Sequence, residues 1–361
     1  MNGSTRQAAD FLRSYDGAKI RLMEVCGTHT AEISANGIPS MLSDRIRLIS
    51  GPGCPVCVTV SSYIDRLIEY SMSENTTVLT FGDLLRVPGS GGSLADAIAR
   101  GGRAEYVYAP SRVIERALEE PDRSFIFGAV GFETTAPVYA MLLEELLQRG
   151  IRNVRLLTSL KTMPAAIRAV ARLARDAGEP VDAFLAPGHV CAVTGTADYA
   201  ALAKELQVPF VVSGFGGEEL LAAIYALVKL RGRGEMRNLY PRIVRPEGNP
   251  RALEAVNRFF APADAGWRGL GMIPGSGLLL REEYSSFDAG SAELSEDRPA
   301  AGCRCGEVLT GRITPGECPL YGTACTPVRP VGACMVSAEG GCHTAYVSSG
   351  GKGRKKEADL T

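Results

Sequence analysis

A chain of 361 residues with 45% hydrophobic and 22% charged residues has the composition of a globular protein too long for one core, so two or three domains are expected. A net charge of −1 gives no electrostatic basis for binding nucleic acid or an anionic membrane, and no apolar run of about 18 residues is present to insert into a bilayer. The first residues, MNGSTRQAADFLRSYDG, lack the apolar core of a signal peptide; in the cytoplasmic setting this implies, ten cysteines point to metal ligands or redox thiols rather than structural disulfides.

In chain order, the first expected strand is IRLMEV (20–25), which runs into CGTHT and sets Cys26 beside Thr28 and His29. A cysteine with a neighbouring histidine can be a nucleophile or a metal ligand, although a single cysteine at a strand end is most often a packed residue. The second strand, RIRLIS (45–50), leads into GPGCPVC. Val60, Ile64, Leu67 and Ile68 then follow at helical spacing, so Cys54 and Cys57 open a helix. Backbone N–H groups at such a position favour thiolates, as a redox dithiol requires. Two buried cysteines in a proline-stiffened turn, or half of a metal site, are the other readings. The loop PGSGGSLADAI (88–98) reads as an ordinary glycine-rich turn, and neither nucleotide-binding glycine motif occurs in the chain.

Strands are expected at 77–81, 104–109, 124–130, 154–159, 183–187 and 210–214, alternating with amphipathic stretches such as TAPVYAMLLEELLQRG and MPAAIRAVARLARDAG. That alternation predicts an α/β fold: two similar parallel-sheet α/β domains around a cleft, plus a loop-rich C-terminal domain. Glu133 in GFETT follows the fifth strand and can orient a base, bind a metal or cap the next helix, the cap being the default. His189 in PGHVCAVTG follows the seventh and is one of only three histidines. Reactive residue types at strand ends suit a ligand crevice at the carboxyl edge of a sheet.

After a connector rich in Arg, Gly and Pro (229–250), the sequence becomes loop-rich, with six of the ten cysteines between 303 and 342. Cys305, Cys318, Cys325 and Cys342 are separated by twelve, six and sixteen residues. Four thiolates around a soft metal centre would tie such loops together; an iron–sulfur cluster is favoured over structural zinc, which prefers close cysteine pairs, and over free cysteines. Cys303 and Cys334 are the spare thiols, Cys334 being the readier to exchange into the set. The expected segments are 1–40 with the Cys26 motif, α/β domains at 41–120 and 121–230, a cluster domain at 231–345 and a flexible tail at 346–361.

Taken together, MEVCGTHT, GPGCPVC, TFGDLLRVPGS, GFETTAP, PGHV and CGEVLTG…CPLYGTACTP…GACMVSAEGGC resemble the HypD family of hydrogenase maturation proteins, in family order across residues 23–342. The resemblance implies an accessory protein with thiol redox and iron–sulfur electron-transfer chemistry that helps assemble the Fe(CN)2CO unit of [NiFe]-hydrogenases. Its implied partners are a small HypC-type chaperone and a HypE-type cyanide donor, and the chain alone is expected to be monomeric. It implies a [4Fe-4S] cluster on Cys305, Cys318, Cys325 and Cys342. Cys26 is then the transient iron ligand, and Cys54 and Cys57 are a dithiol–disulfide pair exchanging electrons with the cluster. His189 and Glu133 fall in family motifs facing the cleft, and Thr28 and His29 flank Cys26. The sequence departs from the family at GFGGEELL (214–221), at the extra Cys303 and at Cys191. An iron–sulfur thiol–disulfide oxidoreductase acting on a protein disulfide is the alternative function, and a structural zinc protein with an α/β cleft a third.

Overall fold

The chain forms eleven strands among residues 3–351, which the computed structural model describes: β1 (Ile20–Glu24), β2 (Ile46–Ser50), β3 (Thr76–Thr80), β4 (Ala104–Tyr106), β5 (Ser124–Gly131), β6 (Val154–Lys161), β7 (Ala183–Ala186), β8 (Phe210–Val212), β9 (Met236–Asn238), β10 (Phe260–Trp267) and β11 (Gly271–Leu280). They make two sheets in two compact units, so the fold class is α/β with mainly parallel strands. No helix among the described residues is long and apolar enough to cross a membrane.

The first unit comprises residues up to Cys54, Ala166–Asn249 and the chain from Gly302 onward. Its five-stranded sheet has the order β2-β1-β7-β8-β9, and every pair is parallel. Helices cover such a sheet, which is why β7 and β8 read as unbroken apolar runs, buried at every position. Leu22, Leu185 and Val211 from the strands pack with Leu12, Ile33, Leu220, Ile224 and Leu227 from the helices. Successive connections from β1 and β7 lead away in opposite directions, so the strand order reverses between these two neighbours. A crevice outside the carboxyl ends of the strands is expected at that switch point.

The second unit comprises Pro55–Ala165 and Pro250–Ala301. Its six-stranded sheet has the order β10-β11-β6-β5-β3-β4, parallel from β4 to β6 and antiparallel at β11 and β10. Phe125, Phe127, Leu156 and Leu160 face Tyr139, Leu143 and Leu146 of the helix Ala136–Gln148 in its core.

The units are discontinuous, unlike the consecutive domains expected from the sequence. The expected segment 41–120 contains β2 of one sheet and β3 of the other, and 121–230 likewise contains β5 and β7. Hydrophobic periodicity reports strands but not which strands pair, and pairing decides the units. Within the segment expected as a cluster domain (231–345), β9 completes the first sheet while β10 and β11 complete the second. The tail expected from residue 346 starts inside the helix Gly341–Ser348, and residues 352–361 lie outside the described residues.

Candidate functional site

At the carboxyl end of β1, Cys26 occupies the N-cap of the helix Gly27–Ala35 with extended backbone (φ −145°, ψ 118°). The thiol is buried. Burial pushes it up to about 12, although the backbone N–H groups of His29 and Thr28 pull the other way. Cys26 therefore carries its proton at neutral pH. Glu24, the last residue of β1, braces the turn: one carboxylate oxygen accepts from Cys26 N at 2.9 Å, and the other takes a short hydrogen bond from the Thr30 hydroxyl. Burial raises Glu24 to about 7.

The β1–β7 pairing brings the two histidine motifs together. The His29 ring lies 4.6 Å from that of Phe215, and His189, in the helix Gly188–Thr194 after β7, stacks on the same ring at 4.1 Å. His29 is fully buried and His189 exposed. Burial pushes His29 down to about 4 against the pull of the Gly214 backbone, leaving a neutral imidazole at physiological pH. Phe215 follows β8, within GFGGEELL (214–221). The sequence reading had not selected it as a site residue; its signal is an aromatic at a strand end beside two glycines.

Glu339 was also not selected. It stands three residues before Cys342, and its Oε1 accepts from Thr28 Oγ1 at 3.1 Å. A Cβ on Gly27 would overlap the Glu339 side chain, so glycine at position 27 allows this approach. A carboxylate from the cysteine-rich segment thus reaches the loop that carries Cys26.

The GPGCPVC loop runs against the same turn. Gly51 N donates to Glu24 O at 2.8 Å, and Gly27 N donates to Gly53 O at 3.0 Å. Cys54 and Cys57 are joined as a disulfide, and both are buried. The helix expected to open here begins at Ser61, so the pair lies in a turn before it rather than in its first turn. A Cβ on Gly53 would overlap Cys26 N and Val25 C. Gly53→Ala should therefore lower the unfolding free energy by about 1–3 kcal/mol, as forced overpacking does. Gly82→Ala, where a Cβ meets open space, should stay within about 0.5 kcal/mol of the parent. Urea unfolding of both variants tests this; equal midpoints would refute the close approach.

Glu133 is buried beyond β5 with Oε1 accepting from Met163 N at 2.8 Å. It therefore braces the start of the helix Met163–Asp176.

The six C-terminal cysteines converge. Cys303, Cys305, Cys318, Cys325 and Cys342 line one small cavity with Gly332 and Tyr321. Cys334, fully buried, contacts Cys305 and Cys342. A Cβ on Gly332 would lie 2.7 Å from the sulfurs of both Cys303 and Cys305, so only glycine admits them. Hydrogen bonds with Cys303 and Cys334 hold the Cys305 thiol well above its ordinary range, and burial raises that of Cys325. Cys325 Sγ accepts from Val331 N at 3.3 Å. Among the described residues, no three His, Cys, Asp or Glu side chains form a single-ion site. A crowd of buried sulfurs with backbone donors at Val331 and Gly332 already aimed at Cys325 suits a polynuclear thiolate-bound centre. Cys303 also lines this cavity, which its sequence spacing had not indicated.

Comparison with known proteins gives a consistent result. The model of the family described as HypD, hydrogenase formation hypA family, matches residues 5–349. The chain is 41% identical over 352 residues to the hydrogenase maturation factor HypD of Rhizobium leguminosarum bv. viciae, covering 94% of this chain and 90% of that protein. It is 39% identical over 349 residues to the hydrogenase maturation factor HypD of Escherichia coli K12, covering 94% and 92%. A putative hydrogenase expression/formation protein of Methanocaldococcus jannaschii is 39% identical over 334 residues, covering 91% and 92%.

Proposed function

The chain belongs to the HypD family of hydrogenase formation proteins, and from that premise we propose that it is the scaffold on which the Fe(CN)2CO unit of a [NiFe]-hydrogenase is assembled. Cys26 holds the iron, which is the cargo. A small HypC-type chaperone supplies the ligands that one thiolate cannot, and a HypE-type protein delivers cyanide. The observation that carries this reading is the position of Cys26: a buried thiol at the switch point of the first sheet, flanked by the His29–Phe215–His189 stack and the Glu339–Thr28 hydrogen bond. A soft thiolate suits low-spin iron with strong-field diatomic ligands.

Four of the cysteines around the C-terminal cavity would hold a [4Fe-4S] cluster: Cys318, Cys325, Cys342 and Cys305, with Cys303 the competitor for the first position. When bound, such a cluster supplies one-electron transfer. Crowding raises the Cys305 and Cys342 thiols in its absence, so they release protons as they become ligands. The Cys54–Cys57 disulfide takes up two electrons and two protons to become a dithiol. Its loop is hydrogen-bonded to the Cys26 turn, so that change is felt where the iron is held.

Co-expression with the small chaperone, anaerobic purification and infrared spectroscopy test the scaffold reading: a complex carrying Fe–CN and Fe–CO bands is expected. The disulfide favours one alternative, an iron–sulfur thiol–disulfide oxidoreductase. Catalytic turnover of a protein disulfide by the chain alone, with no bands in any complex, would replace the scaffold reading. Differential alkylation read by mass spectrometry should find Cys54 and Cys57 unreactive as isolated and both modified after mild reduction. If they stay unmodified until the protein is denatured, the pair is structural.

A further inference from the structure

Lys161 ends β6 in the second unit, and packing buries it: only 3% of the residue is exposed. Lysine is almost never buried to this degree without an anionic partner, because removing an ammonium from water is costly. Its partners here are neutral. Nζ donates to Ser159 Oγ at 3.1 Å and to the Gly266 carbonyl at 2.9 Å, and stands 5.6 Å from the centroid of the Trp267 ring. An ammonium has three N–H donors, so one has no protein acceptor among the described residues. Burial lowers this amine from 10.5 to about 7, so both protonation states are accessible near neutrality.

Beside it is a cavity of about 40 Å³, walled by Val60, Tyr63, Ser159, Lys161, Gly266 and Ser295. That is about three times what one water needs, enough for an ion of two or three heavy atoms. The cavity wall depends on glycine, since a Cβ on Gly266 would lie 2.8 Å from Ser295 O. The carboxylate on the wall, Asp264, belongs to an exposed residue and accepts from Gly275 N at 2.8 Å. It forms no ion pair with Lys161. Tyr63 directs its hydroxyl to Leu157 O. Ser159 Oγ lies 3.5 Å from Thr59 Oγ1, so a hydroxyl pair backs the amine.

We propose that Lys161, with Ser159, forms a binding site for a small monoanion of two or three heavy atoms, of the size and charge of formate. The anion supplies the missing counter-charge and accepts the free N–H. A tetrahedral dianion such as sulfate, larger and doubly charged, matches the site less well. The site stands apart from the maturation reading, because its test measures binding and not hydrogenase assembly.

Trp267 is the only tryptophan of the chain, so its fluorescence reports on this site directly. The full chain is titrated with sodium formate at constant ionic strength, with sodium sulfate as the size control. A saturable change with formate and none with sulfate is expected, with affinity at least tenfold weaker in Lys161→Met. Calorimetry with formate should give the same midpoint. A response that is linear in formate, or equal saturation in Lys161→Met, overturns the proposal. Should Lys161→Met fail to fold, Ser159→Ala decides: weakened formate binding supports the site, and unchanged affinity overturns it.

Discussion

Cys26→Ala should abolish the Fe–CN and Fe–CO infrared bands of the co-purified chaperone complex and stop hydrogenase maturation, while leaving the chain folded. The loss should be complete, because no second thiolate stands in the turn after β1. The loop hydrogen-bonded to that turn carries Cys54, which is tied to Cys57 as a disulfide. The structural cost should be small: one buried sulfur is removed, and the Glu24 carboxylate still accepts from the backbone N–H of residue 26. A stability loss below about 2 kcal/mol is expected, within the ordinary range of single substitutions. Iron content of the C-terminal centre and the unfolding midpoint should therefore stay near the parent values. Persistence of the bands would mean that the iron is held elsewhere.

The second large effect should follow from Cys318→Ala or Cys325→Ala. Each is expected to lower bound iron sharply after anaerobic purification, and to bleach the broad absorption of thiolate-to-iron charge transfer. Residues 302–351 contain only short helices and turns, so a bound centre is their main tie, and metal-binding free energy then acts as folding free energy. Cleavage by trypsin after the exposed Arg312 should accelerate in both variants. Cys303→Ala and Cys305→Ala, compared in parallel, identify the first ligand: the one that loses iron is the ligand. Stoichiometric zinc without iron after anaerobic reconstitution would overturn the iron–sulfur assignment.

Much of this protein was legible along the chain. Strands β1 to β8 lie within a few residues of where apolar runs placed them; for β5, β7 and β8, burial on both faces of a parallel sheet leaves a continuous apolar signature. Strands β10 and β11 were not legible. Their sequences, FAPADAGW and GMIPGSGLLL, carry the Gly, Pro and Ala that mark loops, and an antiparallel pair closing one end of a sheet tolerates them. The disulfide-forming character of Cys54 and Cys57 could be read locally, since two thiols two residues apart need only a turn to meet. The convergence of the C-terminal cysteines followed from their density in loop-rich sequence.

Sequence alone determined the residue types, the strand-end positions of the reactive groups and the family. Tertiary structure decided which of them meet. Pairing of β1 with β7 brings His29 and His189 onto Phe215, and no periodicity encodes that pairing. The reach of Glu339 to Thr28 depends on a missing side chain at Gly27, and the binding of Met163 N by Glu133 joins segments that are separate in the chain. Nothing in the local sequence marks Lys161; only packing buries it. The physical reason is common to all four: local propensity acts over one or two turns, whereas contact between distant segments is selected by the total packing of a sheet and its helices.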